Sequence, residues 1–364
     1  MVIVRRVKPL PYWIVPILAL VIGILISIVI LYIMTGASPI DVLASLAFGF
    51  TRPTILAKTF IILTIVGTAL LVSFKGAIWN IGGEGQITMG ILAAAWIALF
   101  TPIPYATGTA MDALMAKILM FIMAMVAGAF WAFLSALPRA FLKLDEVAVT
   151  LIMNYIAYYI ADILVYGPWK GKHTYGYIRT DTLPENTWLI RLPGTNATIE
   201  GVIVLILLFV AAWILLNKTS IGLRIRVLGN NPNLLRSSGI SVPLMVIIAL
   251  TISGAIAGIV GVLYLAGDVY NIGYPIEQHT AGYGYTGILV AWLSMLQLWA
   301  IPLASFIVSA LYSSGIQIQV IGAGSGAVVN VFIGAILLTY TIVIVSSEYK
   351  IKFIVKKSSG PSKR

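Results

Sequence analysis

The feature that most limits this chain is a succession of apolar runs, each about as long as a bilayer core is thick. Read against glycine, proline and charge, about ten runs emerge. The early ones are Trp13–Met34, Ile55–Phe74, Ile87–Phe100, Ala116–Leu137 and Val147–Tyr166. The later ones are Gly201–Asn217, Val242–Ala266, Tyr285–Leu298, Ala300–Ile318 and Ala327–Ser346. The third, eighth and ninth are short or poorly separated, so eight or nine spans also fit. Of the residues, 60% are hydrophobic and 10% charged, where a soluble domain carries about 25% charged. The expected fold is all-α: a polytopic membrane protein of about ten transmembrane helices, residues 1–350, followed by a basic tail, 351–364. The first run exceeds the roughly 7–15 apolar residues of a signal-peptide core and reads as an uncleaved helix, although Thr35–Ser38 keeps cleavage open.

The net charge of +11 invites a nucleic-acid reading, but its distribution speaks for a bilayer. With the N-terminus placed in the cytoplasm, sixteen of the 23 Lys and Arg fall inside, from Arg5, Arg6 and Lys8 to the tail. Four of the seven outside lie in one long segment, Gly167–Glu200, where they carry little weight. Both termini are therefore expected in the cytoplasm of a cell membrane. That long external segment is polar and reads as a surface loop, a partner dock or a cover over a path. The absence of cysteine removes disulfides and thiolate chemistry, and His173 and His279 are too few for a histidine metal site.

One stretch does not suit lipid: Asn80-Ile81-Gly82-Gly83-Glu84-Gly85-Gln86. Irregular backbone at membrane depth survives only where protein or a water-filled cavity satisfies it. Asn80, Glu84 and Gln86 are candidate path residues, with two readings open for each. Glu84 either caps the following helix or meets solute, and the two amides either bond a neutral polar solute or staple the stretch to its neighbours. Asn154 in mid-span needs a partner, and Tyr155 beside it offers a ring and a hydroxyl. Asp145 and Glu146 suit a helix N-terminus. Small residues four apart, Gly254 with Gly258 and Ala257 with Gly261, predict close helix packing, and Gly322–Ala327 predicts a break. There is no phosphate-binding Gly-rich loop ending in Lys, no nucleophile–base constellation and no relay of buried carboxylates. The chain reads as a non-catalytic transport subunit without cofactor.

The most specific signal is the segment Lys218–Ser241, expected as a cytoplasmic loop holding a short helix over Leu234–Ser238 stopped by Gly239. Thr219, Gly222, Arg226, Gly229, Asn231, Pro232, Gly239 and Ile240 match the ATPase-facing loop of the permease subunits of ATP-binding-cassette importers in the ribose, simple-sugar and nucleoside group. Leu235 stands where that family usually has alanine. Phe74-Lys75-Gly76 through Gln86 resembles the nucleoside-type branch, and Asp145-Glu146-Val147 with Asn154-Tyr155 is similar to its Asn-Glu-Val…Asn-Tyr segment, Asp145 replacing Asn. The resemblance spans roughly residues 10 to 345. It implies an ATPase partner that uses the ATP, a second permease subunit, an extracytoplasmic solute-binding protein and a neutral polar solute such as a nucleoside or simple sugar. A branched-chain amino-acid permease and a carrier working without an ATPase are the alternatives.

Overall fold

The computed structural model of the chain describes residues 2–6, 11, 13–105, 109–172, 176–280, 282–322 and 328–353. Lys8, His173, the stretch 323–327 and the expected tail beyond Phe353 lie outside the described residues. Among the described residues, nine helices are long and apolar enough to cross a membrane. Internal contacts divide the chain into two compact units: its two ends, Met1–Leu46 with Gly315–Arg364, and its middle, Ala47–Ser314.

In the unit made by the ends, α1 (Ile14–Thr35) lies against the helix Val328–Glu348. Gly23 meets Ile336 so closely that a Cβ would stand 2.7 Å from the Ile336 Cα. The all-α fold carries one small ribbon beside its helices here. Val2–Arg6 (β1) pairs antiparallel with Tyr349–Phe353 (β2), so Arg5, Arg6, Lys350 and Lys352 belong to a two-stranded ribbon. Backbone outside the helices needs other partners for its N–H and C=O groups, and these two segments supply them to each other.

Two short turns of sequence begin the middle unit: α2 (Pro39–Gly49) ends at its edge, and α3 (Pro53–Phe74) opens on a proline at its first position. There follow α4 (Gly83–Phe100), α5 (Ala110–Leu142), α6 (Glu146–Tyr166) and α7 (Ile199–Lys218). Side chains that accept from the first turn start several of these: Asp145 for α6 and Thr198 for α7. The expected cytoplasmic loop is instead two helices, α8 (Ser220–Asn230) and α9 (Pro232–Ser237), capped by Thr219 and Asn231. Helix α8 was missed because its apolar residues Ile221, Ile225 and Leu228 recur on one face between arginines, which reads as a basic loop when counted only by charge. The short helix expected over Leu234–Ser238 starts two residues earlier, at Pro232, and Gly239 ends it at φ +75°.

Helix α10 (Val242–Tyr264) continues as one π turn, Leu265–Val269, and is the axle of the unit. About 72% of the apolar window of α3, α4 and α10 is buried, against 28% in α6 and 17% in α7. The first three are therefore the core and the last two the rim. The expected small-residue packing is present and has a partner the sequence did not advertise. Gly128 of α5 faces Gly254 and Gly258, where a Cβ on Gly258 would lie 2.3 Å from the Ala124 carbonyl oxygen. Such backbone contact gives dispersion and carbonyl contacts that no larger residue allows.

The eighth expected span, Tyr285–Leu298, ends early, since its helix stops at Leu293 and a turn follows over 294–297; the chain before it is broken. Chain 276–293 consists of α11 (Ile276–His279) and α12 (Tyr283–Leu293), with Thr280 and Gly282 between them and Gly282 at φ +65°. After a turn, α13 (Ile301–Val320) follows, and the helix Val328–Glu348 is α14.

Candidate functional site

The polar stretch Asn80–Gln86 and the break between α11 and α12 meet in the interior of the middle unit. Asn80 and Gln86 close on each other, each amide donating to the other's oxygen at 3.1 Å. Asn80 Nδ2 also donates to Ser253 Oγ at 3.0 Å, and its Oδ1 accepts the Gly82 N–H at 2.9 Å. The pair thus turns the chain from the end of α3 into α4 and fastens that turn to α10.

Glu84 stands in the first turn of α4 and is 1% exposed. Its Oε2 accepts the Gly284 N–H at 2.6 Å, in the first turn of α12. Two helix N-termini therefore converge on one carboxylate, where orphan N–H groups and the positive ends of helix dipoles favour negative charge. The approach demands glycine: a Cβ on Gly284 would fall 2.2 Å from the Glu84 backbone nitrogen. The expected capping bond to its own helix, α4, is absent, and the N–H that Glu84 accepts belongs to α12, distant in sequence.

Asn154 completes the cluster from α6. Its Oδ1 accepts the Gly85 N–H at 2.8 Å, and its Nδ2 donates to the Ile81 carbonyl at 2.9 Å and to Tyr285 Oη at 3.2 Å. Thr150, one turn earlier, accepts the Ile81 N–H at 3.2 Å. Four of the five path candidates, Asn80, Glu84, Gln86 and Asn154, are thus gathered into one buried network, and each bonds protein. Tyr155 is not: it is 45% exposed and lies edge-on to Tyr158, with ring centroids 6.1 Å apart. Gly284, Tyr285, Thr150 and Ser253 went unread because each is unremarkable in its own run. Only the spacing Gly282-Tyr283-Gly284 hinted at a break.

Beside the break lies a cavity of about 70 Å³, lined by Ile91, Tyr264, Asn271, Ile276, His279 and Thr280 among others. It offers an amide, an imidazole and hydroxyls among apolar walls, and the Tyr264 hydroxyl bonds the His279 carbonyl. The segment expected outside braces its rim. Trp188 stacks on Tyr270 at 4.2 Å, and the Thr180, Leu183 and Leu189 N–H groups donate to the carbonyls of Ile272, Tyr270 and Ala266. Also on this side, Lys58 pairs with Asp268 at 2.6 Å and Lys117 with Glu200 at 3.0 Å. Among the described residues no cluster of three metal-ligating side chains occurs.

At the other end, loop 75–79 backs onto α8. A Cβ on Gly229 would lie 2.3 Å from the Lys75 carbonyl oxygen, so that residue holds the two elements in backbone contact. Thr219 and Asn231 accept first-turn N–H groups at 3.1 and 3.2 Å, Gly222 packs on Leu215, and Arg226 faces Lys75. Of the two expected capping residues only Asp145 caps α6; Glu146 pairs with Arg139 at 3.1 Å and accepts the Trp79 N–H at 3.4 Å.

A multi-pass core with a broken helix and a capped pair of short helices at one face defines a membrane permease. The chain belongs to the family described as the permease component of branched-chain amino acid transport systems, which matches residues 53–341. It is 30% identical over 359 residues to the guanosine ABC transporter permease NupP of Bacillus subtilis, covering 96% of this chain and 98% of that one. It is 29% identical to the nucleoside ABC transporter permease NupB of Lactococcus lactis, covering 77% of each chain. It is 27% identical to a glucose ABC transporter permease of Haloferax volcanii, over 80% of this chain and 75% of that one. No solved structure matches it. This is a multi-pass protein of the cell membrane, in a family of non-catalytic permease subunits that work with ATPase and solute-binding partners.

Proposed function

We propose that this chain forms the membrane path of an ATP-driven importer for a nucleoside, with a simple sugar as the next choice. The carrying observation is the cavity beside the break between α11 and α12. It encloses only about 70 Å³, less than a drug-sized ligand fills, so its lining and not its size carries the reading. Its lining holds an amide, an imidazole and hydroxyls, and the nearby carboxylates Glu84 and Asp162 are already bonded to the Gly284 and Ile276 N–H groups. Such a lining suits hydroxyls and ring nitrogens and offers no carboxylate–ammonium pair of its own to a zwitterion. The names of the guanosine, nucleoside and glucose permeases it resembles point the same way. The family description keeps a branched-chain amino acid as the rival solute.

In this reading Asn80, Glu84, Gln86 and Asn154 hold the break in register, and solute passes the Tyr264–Thr280 side. Helices α8 and α9, with Thr219, Gly222, Arg226, Gly229, Asn231, Pro232 and Gly239, meet the ATPase. A second permease subunit, identical or related, faces this one. The α11–α12 pair counts as a tenth crossing, and ten crossings put both termini on one side, in keeping with the β1–β2 pairing. The cytoplasm is the basic side.

The test is to co-purify the tagged chain from mild detergent and assay ATPase in liposomes with the solute-binding protein outside. Vanadate-sensitive turnover stimulated by nucleosides but not by leucine is the expected result. Stimulation by leucine alone selects the rival. Uptake without any ATPase partner removes the importer reading.

A further inference from the structure

The cytoplasmic face carries more positive charge than its own carboxylates answer. A hollow of about 370 Å³ is lined by Phe74, Lys75, Trp79, Arg226, Met295 and Leu296 among others. Across the shared wall of Ala77 and Gly229, a second of about 380 Å³ takes in Arg139, Lys143 and Arg236. Among the described lining residues of both there is no acidic side chain. Glu146 serves Arg139, and the other two ion pairs of the described residues lie by the external segment. Lys75 and Arg226 stay without a carboxylate, and the Arg226 Nε–H is buried without a hydrogen-bond partner. Burial, and then the neighbouring Arg226 charge, hold the Lys75 ammonium below the ordinary lysine value. A half-buried like-charge pair costs stability unless something negative answers it.

Resting on the functional reading above, we propose that Lys75 and Arg226 form a seat for an acidic side chain of the ATPase subunit. A protein carboxylate fits better than a free anion because the hollow is flanked by apolar docking surface. Leu223, three residues before Arg226 on α8, is 54% exposed and Leu234 on α9 is 51% exposed, while Phe74, Met295 and Leu296 line the hollow itself. A guanidinium beside an ammonium binds a carboxylate by charge-assisted hydrogen bonds. The seat is also mechanically placed. Lys75 is in backbone contact with Gly229, and Trp79 packs on Phe74 at 5.0 Å and on Trp292 at 6.0 Å. One residue further, Asn80 enters the buried network, so force on the seat reaches the α4 N-terminus through six residues of chain, 75–80.

The experiment uses the full chain co-expressed with its ATPase. ATPase retained on the tagged permease is measured across a NaCl series for wild type, Lys75→Arg, Lys75→Gln, Arg226→Gln and the double glutamine variant. The double variant is expected to bind roughly tenfold more weakly at low salt and with a flattened salt response, while Lys75→Arg stays near wild type. Wild-type affinity and salt slope in the double variant overturn the seat. So does salt-independent retention by the wild type alone, a readout that needs no variant to fold. A chain with residues 229–240 scrambled separates the two claims. If it loses the ATPase while the double variant keeps it, the seat is wrong and the docking reading stands. If wild type retains no ATPase at all, the functional reading fails and the seat falls with it.

Discussion

The short stretch 75–86 joins two regions that treat polar groups in opposite ways. At its inner end, Asn80, Glu84, Gln86 and Asn154 leave no polar side chain without a protein partner. At its outer end, Lys75 and Arg226 share a hollow with no carboxylate among its described lining. The inner region is cut off from water, where an unpaired polar group costs about 1–3 kcal/mol. It must therefore be complete within the chain. The outer region is open to solvent and to other proteins, and its completion can come from elsewhere. The difference separates what holds this permease together from what it holds out to partners.

The comparison breaks first at Gly284. Gly284→Ala drives a methyl group into the Glu84 backbone, an overpacking expected to cost about 3 kcal/mol or to part α12 from α4. A fall of several degrees in the detergent unfolding midpoint, with transport lost, is the expected outcome; an unchanged midpoint means the two N-termini are not in contact. Next in size is Asn154→Ala, which strips partners from the Gly85 N–H and the Ile81 carbonyl and should cost about 1–3 kcal/mol. Asn154→Asp keeps the Gly85 acceptor and should fall between wild type and alanine in the same melt. Glu84→Gln retains an oxygen for Gly284 but removes charge from two helix N-termini, worth about 1 kcal/mol. It should lie closer to wild type than Glu84→Ala does.

The outer region predicts the smallest change, and of opposite sign. Lys75→Met in the isolated chain should leave stability unchanged or raise it, since an unanswered charge is removed. Its pH signature follows from linkage. The folded Lys75 releases its proton below the ordinary 10.5, so in the alkaline window beneath that value the unfolded chain binds more protons. Stability therefore rises as pH climbs toward 10.5. Lys75→Met should flatten that rise, and an identical pH profile in the variant removes the unpaired-charge account.

These regions were unequally legible in the sequence. The stretch Asn80–Gln86 announced itself because three glycines, a carboxylate and two amides stand between apolar runs. Asn154 announced itself as an amide in mid-span. Gly284 and Tyr285 did not, since one glycine and one tyrosine in an apolar run match ordinary membrane helix. Helix α8 was hidden by its arginines, and the charge pair Lys75–Arg226 by the 151 positions that separate them.

Composition and periodicity by themselves determined that the chain crosses a membrane many times, where most helices run, and which face is basic. Those properties depend on local transfer free energies and on charges counted one loop at a time. Only tertiary structure decided that the chain breaks just before the eighth span, that Glu84 caps a helix 200 residues away, and that four polar candidates satisfy one another. Partner choice among buried polar groups depends on which backbones come within hydrogen-bond reach, and in this chain the close glycine contacts between helices set that reach.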